Sequence, residues 1–278
     1  MRKRTITRAV IVVNANRRQL LVAHLPSLIE QSLPFDRIIV VDNGSADDSV
    51  AFCKSLCGIE VLELERNIGF AGGVNQGLMV VLADPAVEQI ALINNDVRLD
   101  KNWHAEATKA LESSDSYGSV ATCLLKAKKP DVVDTAGIVL QQAGKPENYL
   151  AGQVAPACST IPSEIFGACA AAALYRRDFF DKVGLFDASL FAYQEDVEIA
   201  LRGNAKGWRC VFAPAARGWH LGFGSNRPFP LGGSYADFFN ARNRLAVMVQ
   251  SLHQKEWRAH WRAILINEIR AAVLSIGE

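Results

Sequence analysis

Apolar residues in the first hundred positions fall into short runs separated by stretches of helical period. Ala9-Val-Ile-Val-Val13 is an unbroken, largely β-branched run, the pattern of a strand buried on both faces. Leu20, Leu21, Leu25, Leu28 and Ile29 then recur at helical spacing. Arg37-Ile-Ile-Val-Val41 predicts a second buried strand, ending on the turn cluster Asp42-Asn-Gly-Ser45. Residues 45–57 predict a helix with Ser45 as its N-cap. Ile59 to Leu64 alternates apolar and polar positions as a third strand, Gly72 to Ala83 returns to helix, and Gln89 to Ile93 is a fourth strand. Such alternation argues for a doubly wound parallel sheet, in which ligands gather at the carboxyl ends of the strands. Asp42, Asn67 and Asn94 to Asp96 all fall at such ends.

The second half is less regular. Charged, Pro and Gly residues are scattered from Lys126 to Ser163, which predicts a hairpin around Val132 to Val139 and then a loop. A strand is expected over Ala168 to Tyr175, a helix over Arg177 to Val183 stopped by Gly184, a helix over Asp196 to Ala205, and a strand over Trp208 to Ala213. The chain is strongly helical from Tyr235, with Trp257 and Trp261 one turn apart. This divides it into an α/β domain, residues 1–245, and a C-terminal helical extension, residues 246–278.

Half of the 278 residues are apolar and 21% charged, enough for a sizeable core. The formal charge of +1 gives no global field toward nucleic acid, and no nucleic-acid partner is expected. Met1-Arg-Lys-Arg4 reads as a frayed, solvated terminus in preference to a lipid contact. No secretory leader is recognisable and no apolar run approaches the ~18 residues of a membrane span, so a cytoplasmic location is expected. Six cysteines, at 53, 57, 123, 158, 169 and 210, complete no zinc pattern and read as reduced thiols.

Five clusters carry candidate chemistry. In Asn94-Asn95-Asp96 a single carboxylate can hold a hard divalent cation together with diphosphate oxygens and water, or the three residues simply form a turn. Asp42 either accepts hydrogen bonds from a nucleobase or ribose or shapes its own turn. Asn67 to Asn75 is glycine-rich and opens a helix, which suits close approach to a phosphate and equally suits close helix–strand packing. It matches neither the dinucleotide nor the P-loop spacing. Glu195 and Asp196 stand beside Phe191 and Tyr193, a setting for a carboxylate of raised basicity that takes a proton from an acceptor hydroxyl. Their cheaper reading is structural: Asp196 as an N-cap and Glu198 with Arg202 as a surface pair. His220, in a glycine-rich bend after an apolar strand, is either a satisfied histidine or a ligand for manganese or magnesium.

Taken in order, Asn14-Ala-Asn16-Arg17, Val41 to Ser45, Asn67 to Gly77, Leu92 to Asp96, Gly184 to Asp187, Tyr193 to Asp196, Trp219-His220 and Arg242-Asn243 resemble the glycosyltransferase family 2 enzymes of GT-A fold. The match is closest to the rhamnosyltransferase and galactofuranosyltransferase branch and runs from about Val10 to Leu245. The resemblance implies a Rossmann-like, mostly parallel central sheet flanked by helices, with further C-terminal helices. It implies an inverting, metal-dependent transfer of a sugar from a dTDP- or UDP-linked donor to a hydroxyl of a glycan or lipid-linked acceptor, in surface polysaccharide synthesis.

By the same resemblance Asp96 would bind a Mn2+ or Mg2+ ion bridging the diphosphate, and His220 would complete that site. Asp196 would be the general base, with Glu195 positioning the acceptor or that base. Asn16, Asp42, Asn67, Gly69, Gly72, Asn75 and Asn95 would line the nucleotide-sugar pocket. The chain departs from the family at Asn94, where the first carboxylate of the metal motif usually stands, and at Ala15, where an aromatic is common. The 141–163 segment reads as an acceptor-side lid or a plain surface loop. The C-terminal Trp257, Trp261, Arg258, Arg262 and Arg270 fit peripheral contact with a membrane or packing against the domain or a second copy in a homodimer. The reading from another class is a catalytically silent module that binds nucleotide sugars or glycans in the same pocket.

Overall fold

The computed structural model describes residues 7–141, 145–155, 163–222 and 234–251. The apolar runs of the first half become β1 (Thr7–Asn14), β2 (Arg37–Asn43), β3 (Ile59–Leu64) and β4 (Val87–Ile93). Between them lie α1 (Arg18–Ile29), α2 (Ser49–Lys54) and α3 (Gly69–Leu82). These strands pair in the order β4-β1-β2-β3, all parallel, as the alternation requires. Successive residues of β1 point to opposite faces. Val10 and Val12 meet Leu21 and Leu25 of α1, and Ile11 meets Val74 and Leu78 of α3. Two glycines let α3 lie against β1: a Cβ on Gly77 would stand 2.6 Å from Ile11, and one on Gly73 2.8 Å from Val13.

Beyond β4 the sheet becomes mixed. Short β5 (Val97–Leu99) and α4 (Trp103–Glu112) lead into β6 (Tyr117–Lys126) and β7 (Lys129–Thr135). Then come the small hairpin of β8 (Ile138–Leu140) and β9 (Pro146–Asn148), and β10 (Ser163–Ile165). The hairpin expected across Val132 to Val139 is therefore two ladders, β7 on β6 and β8 on β9. Gly137, at φ 104°, turns the chain between them where a side chain would collide with Ile165 and Ala121. The strand expected from Ala168 begins only at Ala172: β11 (Ala172–Arg176) wedges antiparallel between β4 and β6. Residues 169–171 are drawn off into a cavity wall instead. β12 (Arg209–His220) runs parallel to β6 and is twice the expected length, ending on His220.

α5 (Arg177–Val183) stops at Gly184, φ 91°, as the sequence predicts. α6 (Glu195–Ala205) follows a single 3-10 turn, Ala188–Leu190. α7 (Tyr235–Ser251) runs across the expected domain boundary at residue 245. Among the described residues no helix is long and apolar enough to cross a membrane. Met1 to Arg4, Cys158, Trp257, Trp261, Arg258, Arg262, Arg270 and residues 252–278 of the expected extension lie outside the described residues.

Candidate active site

The loops leaving β1, β2 and β4 are stitched to each other at the carboxyl edge of the sheet. Asn95 donates its Nδ2 to Asn14 Oδ1 at 2.8 Å, and Asn14 Nδ2 lies 3.4 Å from Ser45 Oγ. Asn16 stands in the left-handed region at φ 53°, takes the Ala46 amide on its Oδ1 at 2.7 Å and gives its own amide to Ser45 Oγ. Ser45 is thus no N-cap. Its hydroxyl is engaged by β1, so α2 starts four residues later, after Asp47 has taken the Ser49 amide. Asp42 is buried: Oδ2 accepts the Ser45 amide at 2.9 Å and Oδ1 has no partner. A buried acceptor left unmatched costs roughly 1–3 kcal/mol, so this oxygen favours an incoming N–H or O–H donor.

At the end of β4 a second group of polar side chains gathers. Asp96 Oδ1 lies 3.3 Å from His220 Nε2, brought there by the last residue of β12 pairing with β5. His220 Nδ1 is 2.7 Å from Asp134 Oδ2, a carboxylate on β7. Burial pulls the imidazole pKa down, but the hydrogen bonds to Asp134 and Asp96 overcome it and raise it to about 9. The buried Asn94 Oδ1 has no partner and faces the same space. A carboxylate, an imidazole and an orphan amide oxygen suit a manganese- or magnesium-class ion. Asp134 would keep the proton on Nδ1, and an arriving cation would displace the Nε2 proton that Asp96 stabilises. Among the described residues no complete cage of three acidic, histidine or cysteine ligands forms, so diphosphate oxygens and water would supply the remainder.

Glu195 and Asp196 open α6 on the wall of a cavity of about 910 Å³, which is also lined by Asn67, Asn94, Asp134 and His220. Asp196 is half-buried. Its Oδ1 accepts the Val197 amide at 2.9 Å and its Oδ2 the Ala170 amide at 3.3 Å. Burial raises the pKa of both acids, and for Glu195 the neighbouring Asp196 charge adds to it, while the backbone amides restrain the rise at Asp196. Glu195 Oε2 is buried with no partner. The N-cap position of α6 is Gln194, which makes no side-chain capping hydrogen bond, so Asp196 is not the N-cap expected of it. Nor is Glu198–Arg202 a surface pair: Glu198 is buried, and the guanidinium also holds the Val183 and Leu185 carbonyls.

The approach to α6 is strained. Phe191, Tyr193 and Gln194 all stand at positive φ, 64°, 68° and 66°, at a cost on the order of 1–3 kcal/mol each. Phe191 is the centre of a γ-turn, closed by the Ala192 amide on Leu190 O at 2.7 Å.

The predicted donor-side residues separate into two groups. Asn67 lines the large cavity, and Asn95 and Asp96 line a smaller one of about 210 Å³ with Arg17, His220 and Tyr193. Asn16, in the loop after β1, and Asp42, near the end of β2, lie outside its lining. Gly69, Gly72 and Asn75 line neither cavity. The Asn75 amide is consumed by the Phe186 backbone, donating to O at 2.8 Å and accepting from N at 3.0 Å. Gly69 lies under the Phe191 ring and carbonyl. Sequence reasoning missed Asp134. Its only sequence trace is a lone carboxylate in the apolar stretch Val132-Val-Asp-Thr135.

The family model described as glycosyl transferase family 2 matches residues 9–184. The chain is 24% identical over 254 residues to the N-acetylglucosaminyl-diphospho-decaprenol L-rhamnosyltransferase of Mycobacterium tuberculosis, a match covering 81% of this chain and 78% of that protein. It is 22% identical over 171 residues to a low-salt glycan biosynthesis hexosyltransferase of Haloferax volcanii. That match covers 60% of this chain and spans about half, 52%, of the relative's length. Among solved structures, GalNAc-T7 with UDP, GalNAc and Mn2+ superposes with a TM-score of 0.68 at 16% identity, over 88% of this chain and 48% of that one. A mannosyltransferase from Pyrobaculum calidifontis in complex with GDP-Man and Mn2+ gives 0.61 at 15% identity, over 97% and 74%. At such identities the structural likeness is one of fold, the GT-A fold.

Proposed function

The chain belongs to glycosyl transferase family 2, and on that premise we propose that it moves a sugar from a nucleoside diphosphate donor to a hydroxyl of a glycan or lipid-linked acceptor, inverting the anomeric centre. The observation that carries this reading is the placement of two unlike acid sites on two cavities that share His220, Asn94 and Tyr193: Asp96 with His220 at the end of β4 on the smaller, and Glu195 with Asp196 at the start of α6 on the larger. The name of the M. tuberculosis relative describes L-rhamnosyl transfer to a decaprenol-linked sugar, which supports a rhamnose-like donor sugar and a lipid-linked glycan acceptor.

In this mechanism Asp42 Oδ1 receives the base or ribose, and Asn95 and Arg17 border the diphosphate. Asp96, His220 and Asn94 would hold the divalent cation, with Asp134 fixing His220. When bound, that cation offsets the negative charge that grows on the departing diphosphate. Asp196, open to the cavity and of raised basicity, takes the proton of the attacking hydroxyl; Glu195 beside it orients that hydroxyl. A single displacement from the face opposite the diphosphate inverts the sugar.

The test is release of nucleoside diphosphate from a panel of UDP- and dTDP-sugars with Mn2+ and a lipid-linked acceptor mixture. Release that needs both metal and acceptor is the expected result. Donor binding without release under any acceptor would make the chain a silent binding module. Full release in excess chelator would remove the roles of Asp96 and His220.

A further inference from the structure

We infer that Asn243 of α7 is a positioning residue for Asp196, acting by holding the strained backbone that leads into α6; the inference rests on the transferase reading above. Asn243 is wholly buried. Its Nδ2 lies 2.8 Å from the carbonyl of Leu190, 2.7 Å from that of Ala192 and 2.7 Å from that of Tyr193. An amide has two hydrogens, so three carbonyls share them, and all three belong to the segment in which Phe191, Tyr193 and Gln194 are left-handed. Ordinary side chains populate that region poorly, and the carbonyls it turns inward can be satisfied by no strand or helix of their own. Asn243 supplies a donor to the Ala192 and Tyr193 carbonyls and a further one to Leu190 O, which also takes the Ala192 amide.

Two neighbours on α7 reinforce the hold. Arg242 Nη2 donates to Ser189 O at 3.0 Å and Leu190 O at 2.8 Å, and its Nε donates to Asn243 Oδ1 at 2.7 Å, which fixes the amide's orientation. Asn240 Oδ1 accepts Gln194 Nε2 at 2.9 Å. On the opposite side, Phe191 O takes the Ala71 amide of α3 at 3.1 Å. The segment is thus pinned between α3 and α7, and Glu195 and Asp196 are the next two residues. A carboxylate at the first turn of α6 inherits its place from that pinned entry, so Asn243 sets where the base stands without itself lining the cavity.

The experiment compares the parent with Asn243→Ala and with Asn243→Leu in the full chain, by two readouts. Turnover is followed with a UDP- or dTDP-sugar, Mn2+ and the lipid-linked acceptor mixture. Amide hydrogen exchange over residues 189–197 is followed with UDP and Mn2+ alone. For Asn243→Ala the expected result is a fall in kcat of about 100-fold with donor KM within about threefold, the scale of an ~1 Å misplacement of a reacting group. Exchange in 189–197 should accelerate at least tenfold while β1–β4 keep their protection. Leucine keeps the volume of asparagine but donates nothing, so Asn243→Leu should lose kcat and exchange protection as far as Asn243→Ala does. If Asn243 only packs, Asn243→Leu stays within about threefold of the parent, and that outcome overturns the inference. So does an Asn243→Ala protein with parental kcat and parental exchange. Should Asn243→Ala fail to fold, Asn243→Gln keeps the donor one methylene displaced, and a kcat equal to the parent's would refute the positioning role. Should the parent itself turn over no donor, the transferase reading falls, and the exchange readout alone decides whether Asn243 holds the segment.

Discussion

Gly69 is the position at which the donor-side loop and the base-bearing loop touch, and replacing it should disturb both. It is the first residue of α3, at φ +83°, and a Cβ there would collide with the Phe191 carbonyl and stand 2.6 Å from its ring. Placing alanine in the left-handed region costs about 1–2 kcal/mol. Pushing Phe191 O away from the Ala71 amide, now 3.1 Å distant, forfeits a hydrogen bond worth about 1 kcal/mol. Gly69→Ala should therefore destabilise by roughly 2–4 kcal/mol, a fall in melting temperature of about 5–15 °C for a domain of this size. Gly72 is the control. It has ordinary helical backbone, and its Cβ would meet only the Ile68 side chain, at 3.1 Å, which can give way. Alanine there gains back about 0.5–1 kcal/mol of helix propensity, so Gly72→Ala should melt within ~3 °C of the parent. Differential scanning fluorimetry on the two variants, followed by donor turnover, tests the contrast. Gly69→Ala should also lose kcat, since the displaced carbonyl belongs to the segment leading to Asp196. Equal melting temperatures for the two variants would refute the reasoning.

Three further outcomes are expected. Asp196→Asn should keep donor affinity while kcat falls by about 10²–10⁴, measured by diphosphate release; parental turnover would displace it as the base. Asp134→Asn should weaken Mn2+ binding in the presence of UDP by about 10- to 100-fold, read by titration calorimetry, and an unchanged affinity would show that His220 needs no orienting carboxylate. His104 is fully buried, stacked on Phe35 at 3.9 Å and bonded to Leu33 O at 2.8 Å; burial depresses its pKa to about 4. The unfolded chain takes that proton first, near pH 6.5, so its contribution to stability is complete above that pH. It is lost as pH falls toward 4, amounting to about 2 kcal/mol by pH 5. His104→Phe should show a shallower loss of melting temperature between pH 7 and pH 5 than the parent, and an identical slope would contradict the assignment.

The sequence disclosed what depends on local pattern. β1, β2 and β4 announce themselves because their apolar runs are buried on both faces, and α5 because Gly184 sits where a left-handed stop is needed. β6 and α4 were not legible: Ser119 and Thr122 interrupt the apolar run, yet both are buried in the fold, with the Thr122 hydroxyl satisfied by Ala172 O from a strand fifty residues away. The candidate site divides in the same way. Asp96, His220 and Asp196 were reachable through the order of the motifs. Asp134 was not, since what gives it a role is a 2.7 Å contact made across 86 residues. Gly69 and Asn75 were assigned to the donor pocket by the family resemblance. Both are engaged by the opposite half of the chain, through Phe191 and Phe186, which no periodicity reveals.

The wedging of β11 between β4 and β6 also fixes an order of assembly. β1 to β4 can pair as soon as residue 93 is available, but the outer edge of β4 finds its partner only when Ala172–Arg176 has been made, about 80 residues later. At ribosomal speeds of about 5–20 residues per second, that edge waits for roughly 4–16 s. The stretch that pairs with β11, Gln89 to Ile93, carries neither a charge nor a proline, and the strand's one charge, Glu88, lies just before it. An open apolar edge of this kind pairs readily with another chain. The nascent protein should therefore be most prone to aggregate while its first four strands are complete and its fifth central strand is still unmade. Slowing translation between residues 94 and 172 should lower the soluble yield more than slowing it elsewhere.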